Sequence, residues 1–196
     1  CEFKHAALDV GEVNIFSAGT NKVTLITKID SPVNYGAVFE YKIDVVGNFG
    51  NLLHKIDGKS FVNSDSSRYV VIPGLPYGIN DISRVTLETK NTEWDEDEGK
   101  IFPTVEVRDI ETVINKSEVR ITGKVFNKSI DSVRSARITA LLINSNGDVI
   151  NGSAVDVKSI GVSEERPFTI FFPEMSNEEI KFDQIKTKIF SEIVPR

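Results

Sequence analysis

Scarcity defines this 196-residue chain before any motif does. It has one cysteine, Cys1, two histidines, one methionine and one tryptophan. A single cysteine excludes a disulfide within the chain, and two histidines with one cysteine leave too few ligands for a zinc site of defined spacing. No apolar run approaches the roughly 20 residues that span a bilayer. The 13 glycines are scattered among turns, so no phosphate-cradling glycine loop is present. Basic residues are outnumbered 29 to 23, for a net charge of −6. Residues 1–100 carry most of that excess, and neither half has the basic stripe that a nucleic-acid backbone requires. The same acidity disfavours electrostatic adhesion to anionic lipid. Helical periodicity is also missing, and no catalytic constellation stands out. His5 and His54 lie in different strand contexts, with no carboxylate and nucleophile placed around either. The residues point to a non-enzyme with no cofactor.

What is present is β structure, written twice. Val23-Thr-Leu-Ile-Thr-Lys-Ile29 recurs as Val119-Arg-Ile-Thr-Gly-Lys-Val125, and Asn48-Phe-Gly-Asn-Leu-Leu53 recurs as Ser145-Asn-Gly-Asp-Val-Ile150. Each half reads as an alternating strand, a loop, a long apolar strand, a glycine turn and a further strand. Val38 to Val46 and Ile138 to Ile143 are the long strands. Asn146-Gly147 predicts a type I′ hairpin, the turn type that this pair favours. In Phe168-Thr-Ile-Phe-Phe172 the alternation puts Phe171 opposite the core. Ser176 to Ile180 could form a single helical turn capped by Ser176. Short strands every 8–15 residues, joined by Gly, Asn and Pro, predict an all-β fold of two tandem antiparallel immunoglobulin-like β-sandwiches. Residues 1–92 form the first with an N-terminal leader strand, 93–102 an acidic linker, and 103–196 the second. Joined end to end, they would make a rod.

Candidate sites are few. Asp95, Glu96, Asp97 and Glu98 sit at the expected joint, where calcium could rigidify tandem sandwiches. Calcium needs six to eight oxygens from several segments, so four neighbouring acids read first as a solvated linker. Asn115-Lys-Ser117, Asn127-Lys-Ser129 and Asn151-Gly-Ser153 match the glycosylation pattern, at a frequency that chance explains. Trp94 reads as an aromatic plug at the joint. A glycan- or peptide-binding role would need Tyr35, Tyr77 and Trp94 to converge on one loop face. Cys1 at the start of the chain fits either a lipid anchor exposed by signal cleavage or an arbitrary boundary.

These strand and turn residues resemble tandem immunoglobulin-like proteins of the bacterial envelope. In the second half, Gly123 to Ser129, the strand to Ile143, Asn146 to Asp148 and Pro167 to Pro173 are similar to the FxLYD-type domain. In the first, Asp30-Ser-Pro-Val-Asn-Tyr-Gly-Ala37 with Phe39 and Tyr41 resembles a segment of membrane-anchored proteins from candidate-phyla bacteria. The resemblance implies an upstream membrane helix with a cysteine-rich stretch, of which Cys1 would be the end, and no established activity. The expected function is an extracytoplasmic structural or interaction module at the cell surface or envelope, in a filament or layer, with Glu2 to Phe16 as a donor strand. Accessory ligand binding is the alternative. Partners are expected to be proteins or further copies of the chain, with the membrane reached only through an N-terminal anchor.

Overall fold

The structure is a computed structural model that describes residues 7–99, 101–116, 118–172 and 182–194. Cys1, His5, the first part of the leader and the Ser176–Ile180 turn lie outside the described residues. The fold is an antiparallel all-β sandwich fold, and no α-helix occurs among the described residues.

The strands of the first half are β1 (Asp9–Val10), β2 (Asn14–Ser17), β3 (Val23–Asp30), β4 (Tyr35–Gly47), β5 (Leu52–Val62), β6 (Ser67–Leu75) and β7 (Ile82–Glu98). β1 and β2 together line one edge of β3, with Asp9 opposite Asp30 and Asn14 opposite Ile26, while β6 takes the other edge. β4 is the centre of a second sheet in the order β5-β4-β7. The second half comprises β8 (Glu106–Ile114), β9 (Val119–Phe126), β10 (Val133–Ile143), β11 (Val149–Ile160), β12 (Glu165–Phe171) and β13 (Lys186–Ile193). β9 lies between β8 and β12, and β10 between β11 and β13. The pairing scheme of the first half therefore recurs in the second: β3 and β9, the repeated sequence, occupy equivalent positions.

Alternation accounts for the cores. On β4 the odd residues Ala37, Phe39, Tyr41, Ile43 and Val45 are buried, and they pack with Leu25 and Ile29 of β3. In the second half Ile121, Ile138, Ala140, Leu142, Phe168 and Ile170 form the corresponding cluster. Phe171 is exposed, as its place in the alternation requires.

A third cluster joins the halves. Ile26 and Val71, on the reverse face of the β3–β6 pair, meet Leu141 of β10, with Tyr69, Ile143, Val149 and Phe190 around them. The contact is close because Gly152 faces Ile26: a Cβ there would come within 2.8 Å of Ile26 Cδ1. The halves thus pack sheet against sheet, a correction to the rod expected from a linker joint.

The linker itself needs correcting. Residues 93–98 are the end of β7, which stays paired with β4 out to Tyr35 opposite Glu98. Charged residues suit this strand because most of its side chains are exposed or half-buried. The hairpin at Asn144 to Asp148 also differs from type I′. Asn146 keeps a negative φ, Gly147 alone is left-handed at +91°, and Gly147 N–H donates to Asn144 O at 3.1 Å. This is a type I turn followed by a bulge, and Gly47 to Gly50 repeats it with Gly50 at φ +78°.

Candidate functional site at the boundary between the halves

Six strands bring ionisable or polar side chains to the boundary. Arg68 arrives on β6 and Glu192 on β13; both are buried and they form an ion pair across the two halves. Ser60 Oγ of β5 donates to Glu192 Oε2 at 3.2 Å. Arg137 of β10 holds Asp156 of β11 through two bonds, Nε to Oδ1 at 2.8 Å and Nη2 to Oδ2 at 3.1 Å. The Tyr41 hydroxyl of β4 lies against the same guanidinium. Burial pushes the Glu192 carboxyl above the ordinary carboxylate range, against the pull of Arg68 and Arg137. Burial likewise lowers Arg68, against Glu192. Among the described residues Arg68 Nε has no acceptor. Arg137 is pushed the other way, upward, chiefly by its bonds to Asp156.

Aromatic packing covers this charge. The Arg68 guanidinium lies 5.2 Å from the centre of the Phe61 ring, and Phe61 leans on Phe102 at 4.9 Å between centroids. Phe61 and Phe102 also line a cleft of about 510 Å³. Its floor is Val38, Phe61, Phe102, Val133 and Ile193, and it includes Asp131 and Arg134. Asn127 shapes the adjoining loop. Its amide donates to the carbonyls of Asp131, Ile160 and Gly161 and accepts from Ser129 N and Oγ.

The residues singled out by sequence are distributed differently. Asp95, Glu96, Asp97 and Glu98 alternate sides along β7, so they do not converge. Asp95 Oδ1 accepts from Asp97 N at 3.0 Å, and Glu98 accepts from Asn34. Among the described residues no three His, Cys, Asp or Glu side chains gather as a metal site. His54 Nδ1 sits 3.3 Å from the Tyr77 hydroxyl, which donates to Leu53 O. Tyr35 and Trp94 lie towards the first end of β4, opposite Glu98 and Ala37 respectively, whereas Tyr77 is beside Leu53 at the other end. The three aromatics therefore do not share a face. Trp94 packs against the core of the first half. Asn127 and Asn151 are buried, so both amides serve the fold and are closed to a glycan.

Sequence reasoning missed Arg68 and Glu192 entirely. Nothing local marks either residue; Arg68 is one base beside a turn, and Glu192 one acid near the end of the chain. A signal for the covered face was Ile26, an apolar residue between Leu25 and Thr27 on a face expected to meet water.

No family model matches the chain. A stretch of 148 residues, 72% of the chain, is 27% identical to the DNA polymerase I B, chloroplastic/mitochondrial, of Arabidopsis thaliana, and spans 14% of that protein. Among solved structures, red sea bream transglutaminase aligns with 95% of the chain at 11% identity and a TM-score of 0.31, over 28% of its own length. The chain thus spans a small part of each protein that it matches, and neither likeness defines a family. The class is set by the fold alone, an antiparallel β-sandwich.

Proposed function

We propose that the chain is a pair of tandem immunoglobulin-like sandwiches, divided near residue 100, that serves as a non-enzymatic structural or interaction module outside the cytoplasm. The observation that carries this reading is the use made of the boundary charges. Arg68 and Ser60 both bond Glu192, and Arg137 is taken by Asp156. The Arg68, Ser60 and Glu192 set ties one half to the other, and none of the three lines the cleft, where a substrate would sit. The repeated pairing scheme and the FxLYD-like strand and turn pattern agree with a duplicated envelope module. A protein-binding role, at the surface of the cell and near a membrane, follows from that pattern.

Treating intact native cells with a protease that cannot cross the membrane tests the location. Loss of an epitope on the β4–β5 turn is the expected result, and protection until lysis would overturn it. Incubating the purified chain with ester, peptide, glycoside and phosphoester substrates tests the chemistry. Turnover that disappears with Glu192→Gln, while the fold persists, would end the non-enzymatic reading.

A further inference from the structure

One end of the first half carries a cluster of apolar side chains facing water. Phe49 is 98% exposed, Leu52 57% and Ile79 46%. Phe49 sits at the tip of the Gly47–Gly50 turn, Leu52 opens β5, and Ile79 lies in the 3-10 turn Ile79–Asp81. These are neighbours, since Asn48 Nδ2 donates to Asn80 O at 2.6 Å. The tip is also stiff. Gly47 N donates to Asn51 O and Gly50 N to Gly47 O, both at 2.9 Å. Exposing this much apolar surface on a rigid turn contributes nothing to the fold, and such a patch points to a partner.

The boundary cleft has the opposite shape. It is concave, about 510 Å³, and floored by Val38, Phe61, Phe102, Val133 and Ile193. Ile130, 90% exposed, stands next to it in sequence between the lining residues Ser129 and Asp131. Charge agrees as well. Among the described residues Asp131 and Arg134 of the cleft form no ion pair, and neither do Lys22 and Arg84 around the knob. Asp81 beside the knob completes the set, so each side offers both signs.

We propose that the Phe49 knob of one copy of the chain seats in the boundary cleft of the next, with Lys22 or Arg84 facing Asp131 and Asp81 facing Arg134. The knob cannot fill the cleft of its own chain. Val38 and Gly47 lie nine residues apart on the single strand β4, roughly 30 Å at strand spacing. Knob and cleft are different surfaces, so the contact is heterologous and propagates from copy to copy, into a ring or an open chain, instead of closing as a dimer. A contact built around three side chains falls below the standard interface area, so association is weak in dilute solution and needs high concentration or tethering to a surface. This inference gives the structural reading a partner, a second copy, and holds in solution wherever the protein works.

Sedimentation equilibrium of the whole chain from about 10 μM to about 1 mM, the range of weak contacts, tests the proposal. The average mass of the wild type is expected to climb with concentration past that of a dimer. Phe49→Ser, which removes the knob, and Ser132→Trp, which fills the cleft, should each remain monomeric. Mixed in equal amounts they should form a one-to-one dimer and stop there, because each variant supplies the surface that the other lacks. Should Ser132→Trp fail to fold by circular dichroism, Arg134→Glu replaces it, with association weakened about tenfold. A wild type that stays monomeric would overturn the proposal, even if an unrelated apolar peptide binds the cleft. So would Phe49→Ser associating as the wild type does, or a mixture that forms no dimer.

Discussion

At the scale of single residues, the chain depends on a few buried polar groups. Asn127 donates to three carbonyls and is in turn held by Ser129, so truncation removes all of these bonds at once and leaves the buried Ile160 carbonyl without its side-chain donor. Asn127→Ala should cost about 2–4 kcal/mol, read as a fall in the urea midpoint with unchanged slope. Asn127→Asp should fare little better, because a carboxylate cannot donate to those carbonyls. Arg68 and Glu192 make a different point. Removing one partner of a buried pair leaves an uncompensated charge, so Arg68→Met should destabilise by about 3–5 kcal/mol at neutral pH. Its pH dependence has a definite sign. Burial raises Glu192 above its ordinary value in the folded protein, so the native state binds a proton that the unfolded chain releases. Stability then falls as pH rises from the ordinary glutamate value through the raised one, and is fully present below that window. The loss in Arg68→Met should therefore shrink on acidification, whereas Arg68→Met with Glu192→Leu should lose the pH dependence that Glu192 contributes. Thermal melts from pH 4 to 8 would decide it.

At the scale of elements, close approaches set the limits. Gly58 on β5 faces Tyr41 of β4 in register, and the Tyr41 ring lies over it. A Cβ on Gly58 would fall 2.2 Å from the Tyr41 ring. Gly58→Ala should consequently cost about 1–3 kcal/mol, and Tyr41→Leu in the same chain should recover part of that loss, measured as a double-mutant cycle. Strands were the most legible part of the sequence because inward and outward residues alternate. Val38 to Val46 and Phe168 to Phe172 are examples, with Phe171 outside as the pattern requires. Two elements misled for identifiable reasons. Asn146-Gly147 has the composition of a type I′ turn, but type I with a left-handed glycine uses the same pair of residues. The acids Asp95 to Glu98 look like a solvated linker because an exposed strand and a linker both favour charge. Only the partner strand β4 distinguishes them, and a partner 60 residues away is invisible in local composition.

At the scale of the molecule, the arrangement of the halves was the least legible feature. It rests on Ile26, Val71 and Leu141, single apolar residues on faces whose neighbours belong to other strands. Leu141→Ala should cost about 2–5 kcal/mol, since the side chain is fully buried in that cluster. Hydrogen exchange should localise part of the effect on β3 and β6, in the other half of the chain. Exchange confined to residues 105–193 would show that the contact transmits nothing. The cleft depends on this packing, because Val38 and Phe61 come from one half and Val133 and Ile193 from the other.

The glycine at position 152 has an evolutionary corollary. With Ile26 seated where any larger side chain would stand, the two halves of the chain are tied to one another. Neither can now drift, be excised or be shuffled into another protein without baring a greasy flank, so descendants should inherit the two as one indivisible unit.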